Sequence, residues 1–225
     1  MNRYLKARKV RRDGLAVCLF CLTACSAALS ASKSPPLVAH YAITDRIAGS
    51  GTDWDYLSVD PAARRLYIAQ QGVAALDLTT HQLTTQLVSG QLTHGVLPIG
   101  DGIVAVDDSA VGTLTLFEGA TGKVRATVAI PNSSVKKGFH DPDALALDAK
   151  TNLLIAVNGD SGELVLVDTK SLSVAGTIPV GGDLEFAVPG IEGLLYVNVA
   201  STNEIAVVDI AGRTVLKRFP LKGCE

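Results

Sequence analysis

The stretch ALALDAKTNLLIAVNGDSGELVLVDTKSLSVAGTI, residues 144–178, decides the fold. It contains four apolar runs, Ala144 to Leu147, Leu153 to Val157, Glu163 to Val167 and Val174 to Ile178, separated by Asp, Asn, Gly, Lys, Thr and Ser. None of the runs sustains a helical period, and their separators are residues that turn a chain, so they read as four short antiparallel strands.

Moving outward, the third run has counterparts. Val73-Ala74-Ala75-Leu76-Asp77, Leu114-Thr115-Leu116-Phe117-Glu118, Leu164-Val165-Leu166-Val167-Asp168 and Ile205-Ala206-Val207-Val208-Asp209 are all apolar strands closed by an acid. The closing acids are 41, 50 and 41 residues apart. A loop insertion of about nine residues between Pro131 and Pro142, where the chain reads Asn-Ser-Ser and Lys-Lys, restores an even period. Four strands in 40 to 45 residues is about the length of one propeller blade, a small twisted sheet that must stack on its neighbours to bury both faces. The expectation is therefore an all-β protein, a β-propeller with repeats over 53–90, 91–131, 142–181 and 182–222 inside a domain of 41–225. Asp77, Glu118, Asp168 and Asp209 are expected to accept N–H groups of the turns that follow them.

Composition agrees with a packed domain. Of 225 residues 48% are hydrophobic and 19% charged, with 20 Lys+Arg against 22 Asp+Glu. Disorder would need lower hydrophobicity and a larger net charge, and a nucleic-acid partner would call for a basic excess.

The N-terminus has a different character. A basic segment (Lys6, Arg8, Lys9, Arg11, Arg12) precedes an apolar run from Gly14 to Leu22 and a small-residue stretch from Thr23 to Ser32, the three-part layout of an export signal. The apolar run is shorter than the about 20 residues that a membrane span needs. Residues 1–31 are thus read as a signal and 32–40, with Pro35-Pro36, as a linker. Leu22-Thr23-Ala24-Cys25 resembles a bacterial lipobox, which implies cleavage before Cys25 and lipidation of that residue; ordinary cleavage near Ser30 or Ala31 is the alternative. Arg11-Arg12 is compatible with twin-arginine export or with the general route. The location expected is outside the cytoplasm, in the periplasm or lipid-anchored in the bacterial envelope, with contact to the membrane only through such an anchor. Three of the four cysteines, Cys18, Cys21 and Cys25, lie in this segment and only Cys224 lies beyond it, so no disulfide framework is expected.

With the repeats laid out, the residues resemble the YncE-like, YVTN-repeat family of bacterial β-propellers. The likeness runs from about His40 to Glu225. It rests on Trp54-Asp55-Tyr56-Leu57-Ser58-Val59-Asp60-Pro61 with Arg65-Leu66-Tyr67-Ile68, on Thr93-His94-Gly95-Val96, on Gly181-Gly182-Asp183-Leu184-Glu185-Phe186-Ala187-Val188, and on Leu195-Tyr196-Val197-Asn198. The resemblance implies seven blades. This chain supplies four and stops at Lys222-Gly223-Cys224-Glu225, so an open arc is expected, with self-association through its uncovered faces.

Short catalytic motifs are absent: there is no GxSxG, HExxH or P-loop, and Gly49-Ser50-Gly51 is not completed at Trp54. What remains is positional. If the first strand of every blade lines the channel, the residues just before it meet at one mouth: Asp55, His94, Asp143 and Glu185. Their side chains are expected to point to a common axis, roughly 6 to 12 Å apart. Three carboxylates and an imidazole suit a divalent cation or a ligand with amine or hydroxyl groups. His140 and Asp141 are candidates for the same mouth, and His40 and His81 are expected to face solvent. Three functions remain open: an exported, non-enzymatic propeller that binds a small ligand or an envelope protein, as the family resemblance implies; a metal-dependent hydrolase of the lactonase kind; and a nonfunctional portion of a longer propeller.

Overall fold

The computed structural model describes residues 41–49, 51–131 and 141–223. The signal, Cys25, His40, His140, most of the expected insertion and Cys224 lie outside them. Asp45–Glu225 forms one compact unit; of the preceding unit, Met1–Thr44, the described residues are exposed and carry no regular structure.

Among the described residues sixteen strands make four four-stranded sheets, each running antiparallel in simple chain order. The first holds β1 (Leu57–Asp60), β2 (Arg65–Gln70), β3 (Gly72–Asp77) and β4 (Leu83–Ser89). The second holds β5 (Val96–Gly100), β6 (Ile103–Asp108), β7 (Thr113–Glu118) and β8 (Val124–Ala129). The third holds β9 (Pro142–Asp148), β10 (Leu153–Asn158), β11 (Glu163–Asp168) and β12 (Ser173–Pro179), in the stretch that first suggested four strands. The fourth holds β13 (Leu184–Pro189), β14 (Leu194–Val199), β15 (Glu204–Asp209) and β16 (Thr214–Pro220). These are propeller blades, and no sheet closes on itself.

The hairpins repeat one turn. Asp60 accepts the N–H groups of Ala62 and Ala63, both at 2.9 Å, Asp77 those of Thr79 and Thr80 at 2.8 Å, and Asp168 those of Lys170 and Ser171 at 2.9 and 2.7 Å. Asp209 takes the N–H of Gly212 at 3.0 Å. These bonds hold the carboxyls of Asp77 and Asp168 below the usual carboxylate range. Glu118 departs from the pattern. Its longer side chain accepts from the Thr121 hydroxyl at 2.7 Å and pairs with Arg125, while its carbonyl takes the Gly122 N–H. Asp148 likewise accepts from the Lys150 N–H and the Thr151 hydroxyl, and four residues beyond each of these six acids the backbone turns left-handed, at Arg64, His81, Gly122, Asn152, Leu172 and Arg213.

The core lies between the blades. Along β10, Leu154 and Ala156 pack with Leu114 and Leu116 of the second sheet, while Ile155 and Val157 pack with Leu195 and Val197 of the fourth. This period-two division explains why the central strands are apolar on both faces. Between the first and second sheets, the Tyr67 and Phe117 rings meet edge to face at 6.3 Å. One tight backbone approach is at Gly72, with φ of +106°, where a Cβ would stand 2.2 Å from the Val88 carbonyl. The end blades leave more apolar surface uncovered: Val59 is 52% exposed, and Val188 and Tyr196 are 49% and 39% exposed. The four blades form an open arc.

Candidate functional site

The residues before β5 enter the second sheet on a support made by Asp107. This side chain, at the end of β6, is fully buried, and its carboxylate accepts the N–H of His94 at 2.9 Å and that of Gly95 at 2.9 and 3.0 Å. Burial pushes the Asp107 carboxyl well above its ordinary value, against the pull of those two N–H groups. Only glycine fits after His94, because a Cβ there would lie 2.5 Å from the Asp107 carboxylate and 2.9 Å from the Leu145 backbone nitrogen. Asp108, next in the chain, takes the N–H groups of Gln91 and Leu92. The β6–β7 hairpin thus fixes the segment that carries His94.

Held in this way, the imidazole spans three blades. Its Nδ1 lies 2.7 Å from the Asp55 carboxylate on the first and 3.5 Å from that of Asp143 on the third, and its Nε2 lies 3.0 Å from the Ser109 hydroxyl of its own blade. A carboxylate only accepts, so Nδ1 carries a proton. Ser109 suits either charge state. It donates to Nε2 of the neutral ring, or turns its proton to the Leu92 carbonyl at 3.3 Å and accepts from the imidazolium.

Asp143 and Glu185 line one polar recess of about 220 Å³ with His94, Ser109, Asp160 and Asp183. Burial raises the Asp143 carboxyl, the imidazole of His94 pulls it back, and Glu185, Asp55 and Asp141 push it up again, leaving it at about 6. Of the four residues picked from the sequence, Asp55 and Asp143 both contact His94, and Glu185 lines the recess with His94 and Asp143. The distances are shorter than the blade spacing suggested, since one long side chain on the middle blade reaches both neighbours. Among the described residues no group of three or more His, Cys, Asp or Glu has an arrangement that could hold a metal ion.

Asp141 also lines the recess, but its carboxylate is used by the N–H groups of Asp160 and Ser161. His81 is exposed, 3.6 Å from Asp45. Sequence reasoning passed over Asp107 and Ser109. Their signal was the polar run Asp107-Asp108-Ser109 directly after an apolar strand. It also passed over Tyr56 and Phe186, whose rings stack at 5.4 Å with 29° between planes. The Tyr56 phenol is pushed up to about 12, by burial first and then by the carboxylates of Asp143, Asp55, Glu185 and Asp107. It therefore stays protonated.

No family model and no curated protein matches the chain. Among solved structures it is similar to hydrazine synthase of Kuenenia stuttgartiensis, with 12% identity and a TM-score of 0.62, over 79% of this chain and 53% of that one. It is also similar to the dihydro-heme d1 dehydrogenase NirN in complex with DHE, with 14% identity and a TM-score of 0.58, over 77% of this chain and 39% of that one. The chain thus spans about half and about two-fifths of their lengths. At such identities the likeness shows a shared β-propeller fold.

Proposed function

We propose that the chain is an exported, non-enzymatic propeller of the YncE-like kind that binds a ligand or envelope partner at its channel mouth. The observation that carries this reading is the hydrogen-bonded group Asp55, His94 and Asp143, assembled from three blades, with Glu185 in the same recess. Four ionisable side chains at the same place in successive blades form a concave, charged surface that packing does not require. NirN, one of the structural neighbours, is seen in complex with DHE, which is consistent with binding on this scaffold. The lactonase-like alternative requires a divalent metal, and among the described residues no group of three or more His, Cys, Asp or Glu is arranged to hold one. The export half of the proposal rests on the basic and apolar N-terminal segment.

A thermal-shift screen of amines, polyols, sugars and divalent cations tests the mouth. A stabilising compound should lose its effect in the Asp55→Asn, Asp143→Asn double variant. Stabilisation by a divalent cation together with lactone hydrolysis would favour the hydrolase instead. Export is tested by the intact mass of the envelope-associated protein. A chain starting at Cys25 with added lipid identifies a lipoprotein, a start near Ala31 identifies simple secretion, and an unprocessed Met1 in the cytoplasm rejects both.

A further inference from the structure

The inner strands and the residues leading into them carry two kinds of residue in succession. Asp55, His94 and Glu185 face the polar recess or its imidazole, and the residues immediately after them, Tyr56, Gly95 and Phe186, line a second cavity of about 330 Å³. Leu57, Leu97 and Leu145 complete its apolar wall, and no charged side chain lines it. Its volume falls near the lower end of the about 300 to 1,000 Å³ common for small-molecule sites. The missing side chain of Gly95 lets β5 approach β9 closely along this wall, because any Cβ would meet Leu145 and Asp107.

Tyr56 follows Asp55 in the chain and lines the apolar cavity. Its ring stacks on Phe186 at the apolar cavity, while its phenol lies within the field of Asp55, Asp143 and Glu185. The mouth keeps an excess of negative charge: three carboxylates stand against one imidazole, so at least one negative charge is left even with His94 charged and Asp143 protonated. A bare metal ion would leave the apolar cavity unfilled, and an anion would be repelled. An ammonium among carboxylates, with an apolar body against a stacked aromatic pair, uses both parts.

We propose that mouth and cavity form one site for a small organic cation, its ammonium held among Asp55, Asp143 and Glu185 and its aromatic or aliphatic body laid against Tyr56 and Phe186. This rests on the reading of the mouth as a ligand site and adds the class of ligand. Three probes of matched shape separate the two ideas: phenethylammonium, phenethyl alcohol and hydrocinnamate, titrated by calorimetry into the full chain. The ammonium should bind roughly fivefold or more tightly than the alcohol, the worth of about 1 kcal/mol from a partly exposed ion pair, and hydrocinnamate should bind most weakly. Glu185 is exposed, so E185Q should fold normally, bring the ammonium towards the affinity of the alcohol and leave the alcohol unchanged. F186A should weaken both. Equal or tighter binding of the alcohol or of hydrocinnamate would overturn the cation class while leaving a ligand site at the mouth. Binding of none of the three would overturn this inference, and the independent thermal-shift screen would still judge the mouth.

Discussion

Asp143 faces one imidazole and three carboxylates, those of His94, Glu185, Asp55 and Asp141. Its carboxyl rises from the ordinary 3.8 to about 6, so between those values the native state binds a proton that the unfolded chain has released. Stability from this group is therefore greatest below the unfolded value, falls as pH rises through the window, and stays reduced above it. Asp143→Asn should raise the melting temperature at about pH 7 and leave it nearly unchanged at about pH 4. Thermal melts of both proteins across this range check the sign. A lower melting temperature of the variant at neutral pH would mean that the contact with His94 outweighs the burial of charge. A carboxylate retained at a net cost in stability is what a binding residue, rather than a packing residue, would show.

Each hairpin acid sets a turn that needs a left-handed residue four positions on, and the six hairpins meet that need with unequal success. Gly122 and Asn152 tolerate the conformation, whereas Leu172 adopts it at φ of +55° with a bulky, partly exposed side chain. Leu172→Asn, copying Asn152, should stabilise the protein by about 0.5 to 1 kcal/mol in urea unfolding. A neutral or negative effect would show that Leu172 contributes packing equal to its strain. At the centre of the third sheet Leu154 is wholly buried against the second, so Leu154→Ala should cost about 2 to 5 kcal/mol by the same measurement. A cost under 1 kcal/mol, about that of a surface change, would place the core somewhere other than between the blades.

For the molecule as a whole, inner and end blades differ in what covers them. The second and third sheets are packed on both faces. The fourth leaves Val188, Tyr196 and Phe219 exposed, and the first leaves Leu57 and Val59 exposed. Apolar strands with one uncovered face favour association. The expected result is a sedimentation coefficient that rises with protein concentration, and Tyr196→Lys should lower the association. A single monomeric species over the whole concentration range, unchanged by the substitution, would rule this out.

The repeat of apolar strands closed by acids was enough to establish the blades, because strand period and turn chemistry are local properties. It was also enough to select Asp55, His94, Asp143 and Glu185, since equivalent positions in a repeat occupy equivalent places around an axis. Three features depended on tertiary structure. The Asp107 carboxylate reaches the His94 backbone only once β6 has paired with β5, so the polar run Asp107-Asp108-Ser109 did not by itself name that partner. Tyr56 and Phe186 come from the first and fourth sheets and stack only once the arc brings their inner strands together. The short distances from His94 to two other blades arise from the reach of one side chain across a narrow channel, and no residue spacing along the chain encodes a distance across it.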